Sequence, residues 1–174
     1  VKFKVSKKGI AASKAMAIEL EPDDVQASWY YNWGTREFKQ LSECTTRQDK
    51  NEIGVNFANQ FKKIEYVPMV WSSNSYSNTL SKVQTAKNNG YKTILGFNEP
   101  DFKVQANMTV ATAISCWPAF MNQGMRVGSP ATGTWPTINT WFQNFMSQID
   151  SNSSLDVDFI TIHCYPENYA GKNG

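Results

Sequence analysis

The sequence predicts an α/β fold of the (β/α)8-barrel type, and two observations support this prediction. Short apolar runs alternate with amphipathic helical stretches along the 174 residues, and such a succession implies parallel strands joined by right-handed crossovers. Aromatic and polar residues stand at the carboxyl ends of several runs, and in a barrel these ends meet at one mouth. An open doubly wound sheet is the alternative, but the aromatic strand ends in Tyr31-Asn32-Trp33-Gly34. A nucleotide-binding sheet typically has a glycine-rich turn there.

Strands are predicted at short runs that are rich in apolar and aromatic residues. Five clear runs cover residues 27–33, 64–71, 91–97, 126–131 and 157–165. The stretch between residues 34 and 63 is less clear. Ile53, Phe57 and Phe61 suggest a helix that Gly54 weakens, and the stretch also has room for one short, weak strand.

Three helices are predicted, over residues 77–87, 110–121 and 138–149. Each carries apolar residues at helical spacing, which we interpret as core packing against the sheet. Thr109 is a candidate cap for the second helix, and Gly90 is a stop signal after the first. Pro118 removes one backbone hydrogen bond, so we expect it to kink the second helix.

Composition limits the classes of function. The length argues for one domain, and 41% hydrophobic residues allow a substantial core. A net charge of +2 implies no polyanionic partner, so we expect no nucleic acid. The chain has no run of eighteen or more apolar residues, so we expect no membrane span. Aromatic residues reach 13%, which leans slightly toward carbohydrate, because flat rings suit the apolar faces of sugars.

Cysteine and histidine usage gives no sign of a metal centre. Cys44, Cys116 and Cys164 are widely spaced without a CxxC pair, and His163 is the single histidine. A zinc site or a multi-histidine site is therefore not expected. We expect neither a metal nor a cofactor, and we interpret the cysteines as buried thiols.

Glu99 is the main candidate for chemistry. It follows the apolar stretch 93–97 in Asn98-Glu99-Pro100-Asp101, so its carboxyl group is predicted at the edge of a desolvated cavity. Desolvation disfavours the charged form of a carboxyl group, and a glycosidase needs a carboxylic acid that can protonate the leaving oxygen. On a regular strand Asn98 alternates away from Glu99, whereas a bulge would bring both to the cavity. The alternative interpretation is an ordinary strand-to-loop turn.

Other strand ends carry a histidine and several aromatic residues. His163 and Tyr165 share one face of their predicted strand, where they are placed to orient a second carboxylate or to contact sugar. Ile160, Ile162 and Cys164 are predicted to face covering helices. A buried, hydrogen-bonded histidine is the alternative. The aromatic candidates for sugar stacking are Trp29, Tyr31, Trp33, Trp71 and Trp135, with core and rim packing as their alternative role.

Together these residues resemble glycoside hydrolase family 128, whose members cleave β-1,3-glucan. The matching segments run in the family's order and span nearly the whole chain. They are Lys8-Gly9-Ile10-Ala11, Trp29-Tyr30-Tyr31-Asn32-Trp33-Gly34, Tyr66-Val67-Pro68-Met69-Val70-Trp71, Leu95-Gly96-Phe97-Asn98-Glu99-Pro100-Asp101, Gly128-Ser129-Pro130-Ala131, and Asp158-Phe159-Ile160 followed by His163-Cys164-Tyr165.

The resemblance implies a clan A (β/α) barrel with retaining chemistry and with Glu99 as acid/base residue. It makes the Asn-Glu-Pro strand the fourth and the His-x-Tyr strand the sixth, with the second between residues 34 and 63. The family usually has Trp where Cys164 stands, a position that points away from the sugar. The residues predicted to bind substrate are Tyr31, Asn32, Trp33, Trp71, Asn98, Trp135, His163 and Tyr165.

The family's nucleophile is a glutamate on the seventh strand, whereas this sequence stops at Gly174. We therefore expect a truncated chain, with strands seven and eight and the nucleophile outside it. Six of eight parallel strands also leave two open edges and an uncovered interior. The predicted function is that of a secreted, monomeric endo-β-1,3-glucanase acting on β-glucan with retention. The alternatives are a β-glucan-binding module without turnover and a barrel hydrolase for another β-linked glycan.

Overall fold

The computed structural model describes residues 9–11, 27–37 and 64–163, which form an α/β structure with parallel strands. The strands are β1 (Gly9–Ala11), β2 (Trp29–Tyr31), β3 (Glu65–Tyr66), β4 (Thr93–Leu95) and β5 (Arg126–Gly128). The α-helices are α1 (Tyr76–Asn88), α2 (Val110–Cys116) and α3 (Thr140–Asp150), and 3-10 helices span Trp117–Phe120 and Pro136–Ile138. Within these ranges no helix has the length and apolar character needed to cross a membrane.

The strands lie side by side in the order of the chain. β1 pairs with β2, β2 with β3, and β4 with β5, all in parallel. Single parallel bridges continue the series, from Met69 to Leu95 and from Gly128 to Phe159. A doubly wound sheet reverses its strand order at a switch point, and no reversal occurs over the described strands. This order is compatible with the predicted barrel.

The implied position of the second strand is wrong. Trp29 and Tyr30 pair directly with Glu65 and Tyr66, and the Glu65 amide donates to the Ser28 carbonyl at 3.0 Å. These direct bonds leave no gap for a strand from the 34–63 stretch between β2 and β3. β1 is the strand before β2, so β2 itself is second in the observed order. Residues 38–63 lie outside the described residues.

The strands are shorter than predicted because the chain leaves the ladder at their carboxyl ends. Trp33 and Glu99 have positive φ values of 59° and 43°, a region that L side chains rarely adopt and that interrupts a regular pleat. In the predicted 157–165 strand, Phe159 makes the one bridge among the residues described, up to 163. The strand tips are therefore irregular loops.

The helices bury the apolar stripes that the sequence predicted. Thr109 caps α2 by accepting a hydrogen bond from the Thr112 amide at 3.1 Å. The α-helical bonding ends at Cys116, a fully buried free thiol, and the chain continues as a 3-10 helix that contains Pro118. We expected a kink within a helix that reaches residue 121; instead the α-helix ends before Pro118, whose ring nitrogen has no proton for the next helical bond. The stripe residues at the centre of this core are Val83, Ala86, Ala113, Trp117, Phe120, Phe145 and Ile149. Ile138, placed in the third predicted helix, instead lies before α3 and is 77% exposed.

A second apolar cluster lies apart from the helices. Its buried members are Val67, Met69 and Leu95, and the partly buried side chains packed against them are Trp29, Tyr31, Trp33, Trp71 and Phe159. The strands thus contribute to two apolar clusters, as expected for a parallel sheet that is covered on both faces. Tyr31, Trp33 and Trp71 of this cluster lie at or beyond the carboxyl ends of β2 and β3.

Gly96 allows β4 and the segment after β5 to approach closely. A Cβ at this position would lie 2.8 Å from the Pro130 nitrogen and 2.9 Å from the Ser129 carbonyl carbon. Because both contacts are with backbone, we expect Gly96→Ala to force the segments apart and to lower the free energy of unfolding by about 1–3 kcal/mol. Chemical denaturation followed by tryptophan fluorescence measures this loss.

Gly34→Ala is the matched control for Gly96→Ala. A Cβ at Gly34 would have one close neighbour, the side-chain Oδ1 of Asn32 at 3.0 Å, and its next contacts would be at 3.8 Å. A loss at Gly96 no larger than the loss at Gly34 contradicts the close-approach argument.

Candidate active site

A cavity of about 660 Å³ opens where the carboxyl ends of the strands meet. Ala11 ends β1, Tyr31 ends β2, and Trp71 follows β3. The residues that line the cavity are Ala11, Tyr31, Trp33, Trp71, Asn98, Glu99, Gln105, Ile162 and His163. The structure therefore brings six of the sequence-predicted site residues together: Tyr31, Trp33, Trp71, Asn98, Glu99 and His163.

The backbone at the tip of β4 turns Asn98 and Glu99 toward the same cavity. The Asn98 amide donates to the Trp71 carbonyl at 2.9 Å, and the Glu99 amide donates to the Ala131 carbonyl at 2.7 Å. The positive φ of Glu99 breaks the alternation that would send the two side chains to opposite faces. Of the two arrangements considered from the sequence, the structure has the irregular one, in which both residues line the cavity.

Glu99 is a buried carboxyl group with a histidine partner. Its side chain is 5% exposed, and its Oε1 lies 2.6 Å from the Nδ1 of His163. A contact this short requires one proton between the two atoms, carried either by the imidazole or by the carboxyl group. The hydrogen bond fixes the carboxyl group at the cavity wall, where it can exchange a proton with a bound ligand.

Aromatic rings form the wall beside this pair. The rings of Tyr31 and Trp33 are 5.0 Å apart with an interplanar angle of 60°, and Trp29 stacks behind Tyr31 at 6.3 Å. Burial, and secondarily the nearby Glu99 carboxylate, raise the pKa of the Tyr31 phenol above its usual range. Tyr31 therefore keeps its proton at neutral pH and offers a hydroxyl group next to Glu99.

Asn98 has one satisfied and one unsatisfied end. Its Nδ2 donates to the Gln105 Oε1 at 3.1 Å, while its Oδ1 is buried without a hydrogen-bond partner. The residue as a whole is 3% exposed. A buried polar atom without a partner is rare in proteins and needs an explanation. Asn98 lines the cavity, so a ligand hydroxyl is one group that would satisfy it.

Comparison with known proteins places this arrangement in a family. Residues 9–173 match the family described as "Glycosyl hydrolase catalytic core". The chain belongs to this family. The match extends over almost the whole sequence, so it includes Glu99, His163 and the aromatic wall.

Solved structures similar to this glycosyl hydrolase core come from family 128, which confirms the resemblance predicted from the sequence. An endo-β-1,3-glucanase of subgroup I from Amycolatopsis mediterranei, a mutant crystallised with laminaripentaose, is 31% identical with a TM-score of 0.63. The match covers 90% of this chain and 56% of that one. A curdlan-specific exo-β-1,3-glucanase of subgroup III from Blastomyces gilchristii, crystallised with glucose, is 28% identical with a TM-score of 0.63, over 90% of this chain and 60% of that one.

A curated relative is the alkali-sensitive linkage protein 1 of Schizosaccharomyces pombe. It is 29% identical over 143 residues, which are 79% of this chain and 22% of that protein. This glycosyl hydrolase core therefore spans little more than half the length of the solved relatives and about a fifth of the curated one.

Asp101 connects the Asn-Glu-Pro segment of this glycosyl hydrolase core to the loop after β5. Its Oδ1 accepts from the Gly133 amide at 3.0 Å, and its Oδ2 accepts from the Asn139 Nδ2 at 2.8 Å. Asn139 also caps α3 by accepting from the Phe142 amide at 2.9 Å. The helix cap and the tip of β4 are thus held together. Sequence reasoning gave Asp101 no role, although its place directly after Pro100 is a signal for one.

Asn32 and Trp135 do not line the cavity of this glycosyl hydrolase core, which corrects their placement. The Asn32 Oδ1 accepts from the Gly34 amide at 3.0 Å and from the Tyr66 hydroxyl at 2.5 Å, and its Nδ2 donates to the Arg36 carbonyl. Its amide is therefore used inside the turn after β2. Trp135 lies at the start of the 3-10 helix Pro136–Ile138, in the loop held by Asp101. Tyr165 lies outside the described residues.

The predicted orientation of the residues around His163 is wrong for both isoleucines. Ile160 and Ile162 are 49% and 46% exposed, and Ile162 lines the cavity together with its neighbour His163. Strict alternation holds only on a regular strand, and residues 160–163, which the structure describes after the bridge at Phe159, form no regular strand. Three cavity residues were not predicted from the sequence, namely Ala11, Gln105 and Ile162. Gln105 gives no signal, because it lies in a loop seven positions beyond Asn98, without a recognisable pattern.

Proposed function

We propose that this chain forms the acid/base part of the active site of a retaining β-1,3-glucan hydrolase, built on a (β/α) barrel. The observation that carries the proposal is the buried Glu99 carboxyl group, 2.6 Å from His163, at the wall of a cavity lined by aromatic rings. Parallel strands that lie in chain order support the barrel, whose active site forms at the carboxyl ends of the strands.

In the proposed reaction Glu99 is the general acid and then the general base. It first donates its proton to the glycosidic oxygen as the bond to the anomeric carbon breaks, and it later removes a proton from the water that attacks the glycosyl-enzyme. His163 holds the Glu99 carboxyl group in one orientation through its Nδ1. Proton transfer by a positioned group contributes about 10²–10⁴-fold to a rate.

The aromatic wall supplies the surface for sugar rings. The faces of Tyr31, Trp33 and Trp71 suit the apolar faces of glucose units, and the unsatisfied Asn98 Oδ1 suits a donating hydroxyl. The similar Amycolatopsis structure contains laminaripentaose, which supports a β-1,3-linked ligand for this chain. One similar structure is an endo-glucanase and another an exo-glucanase; we propose endo action, the activity of the relative that is 31% identical to this chain.

Retention requires a second carboxylate about 5–5.5 Å from Glu99. Among the described residues that line the cavity, Glu99 is the one carboxylic acid. The proposal therefore assigns the nucleophile to a glutamate beyond the described residues.

The single carboxylic acid among the described cavity residues also supports a second candidate function, that of a β-glucan-binding module without turnover. Because glucan is a polymer that does not cross membranes, we place either function outside the cell.

The proposal is tested with the full-length protein on a panel of β-1,3-, β-1,4- and β-1,6-linked glucans. We expect reducing ends to appear from the β-1,3-glucan, with oligosaccharides of several lengths as early products. Proton NMR within the first minutes should show the β-anomer, because double displacement retains configuration.

Each other result of this panel decides against part of the proposal. Binding of β-1,3-glucan without released reducing ends supports the binding module instead. Release from another linkage alone points to a hydrolase of a different glycan, and an initial α-anomer excludes retention.

A further inference from the structure

Gln105 lies beside Asn98 because the loop after β4 turns back on itself. The Phe102 amide donates to the Glu99 carbonyl at 3.0 Å, and the Gln105 amide donates to the Phe102 carbonyl at 3.1 Å. These two turns return the chain to the tip of the strand, where the Ala106 amide donates to the Asn98 carbonyl at 3.2 Å. Gln105 thereby reaches the cavity wall.

The backbone of Asn98 makes hydrogen bonds on both sides, whereas its side chain makes a single one within the described residues. The amide and carbonyl of Asn98 bond to Trp71 and Ala106. The side-chain bond from Nδ2 to the Gln105 Oε1, at 3.1 Å, is its one partner among the described residues, since Oδ1 has none. The last torsion of an asparagine is broad and roughly two-fold, so the amide can turn over when this bond is removed.

We infer that Gln105 is a positioning residue for the Asn98 amide. This inference rests on the proposed function, in which Asn98 accepts a hydrogen bond from a sugar hydroxyl next to Glu99. Gln105 binds the Nδ2 of Asn98 and so holds it toward the loop. The Oδ1 of Asn98 then remains available to a ligand. A pre-positioned amide loses less rotational freedom when the sugar binds, which improves binding without any contact from Gln105 itself.

A double-mutant cycle in the full-length protein tests this inference. The variants are Gln105→Met, Asn98→Ala and the double variant, with kcat and KM measured on β-1,3-gluco-oligosaccharides. Methionine matches the length of glutamine, but its thioether sulfur is a much weaker acceptor than the amide oxygen. We expect Gln105→Met alone to lower kcat/KM about 10-fold, the scale of one neutral hydrogen bond, and to have less than a threefold effect when Asn98 is already alanine.

The matched control is Lys103→Met, which changes an exposed residue of the same loop that does not line the cavity; we expect its activity to equal that of the wild type. The side-chain amide resonances of Asn98 provide a second readout without substrate. They should exchange with solvent faster in Gln105→Met and remain unchanged in Lys103→Met.

The outcomes separate this inference from the proposed function. A threefold or larger loss from Gln105→Met in both backgrounds shows that the glutamine does not act through Asn98 and overturns the inference, as do unchanged Asn98 resonances. A wild-type protein that neither cleaves nor binds β-1,3-glucan overturns the proposed function. In that case the amide resonances alone decide whether Gln105 holds Asn98.

Discussion

Glu99→Gln in the full-length protein is expected to lower kcat/KM on β-1,3-glucan by about 10²–10⁴-fold, the contribution of a positioned general acid. Glutamine has the shape of the glutamic acid it replaces, but its amide cannot donate a proton to the glycosidic oxygen and return to function as a base. The carboxyl group is 5% exposed and contacts His163, so water has little access to substitute for it. Initial rates of reducing-end release measure the loss.

An activated substrate distinguishes loss of the proton donor from general damage. On an aryl β-glucoside oligomer, whose leaving group needs no protonation, the bond-breaking step should be slowed much less by Glu99→Gln than it is on glucan. Glu65→Gln is the matched control, because Glu65 is an exposed carboxyl group on β3 that does not line the cavity. Activity of Glu99→Gln near that of the control on glucan would remove Glu99 from the role of acid.

Trp117→Ala is expected to lower the free energy of unfolding by about 3–5 kcal/mol, the range for the loss of a large buried aromatic side chain. Trp117 is fully buried, with ring centroids 4.6 Å from Phe120 and 5.0 Å from Phe145. Its Nε1 also donates to the Asp156 carbonyl at 2.9 Å. Alanine removes these contacts and leaves a cavity together with a carbonyl that has lost its donor.

Trp117→Ala should also disturb the active site. The ring centroids of Trp117 and Phe97 are 5.9 Å apart, and Phe97 directly precedes Asn98. Trp117→Phe keeps an aromatic ring and should cost less, and Ile138→Ala, at a position 77% exposed, should leave stability unchanged. Urea denaturation of the full-length protein measures all three variants. A Trp117→Ala midpoint close to that of Ile138→Ala is incompatible with a central core role.

The elements and the main candidate of the site were predictable because they depend on local patterns. Helical spacing predicts the buried stripe through Val83 and Ala86, and a side-chain acceptor predicts the cap at Thr109. The missing amide proton of Pro118 predicts an interruption of the second helix, although not that the α-helix ends there. Glu99 was identifiable because it follows an apolar stretch, 93–97, with only Asn98 between them. Tyr31, Trp33 and Trp71 were expected near Glu99, because the carboxyl ends of parallel strands meet at one mouth in a barrel.

By itself, the sequence determined the positions of β2 to β5 and of the three α-helices, most residues of the helical core and the carboxyl group beyond β4, but it missed β1 and misplaced the second strand. The tertiary structure alone decided that Asn98 and Glu99 share a cavity, that His163 contacts the carboxyl group, and that the Asn32 amide serves a turn. Each of these outcomes depends on a backbone departure, such as the positive φ at Glu99, or on a partner distant in the sequence. Hydrophobic periodicity reports only the average direction of a regular element, so it carries no information about a single irregular torsion.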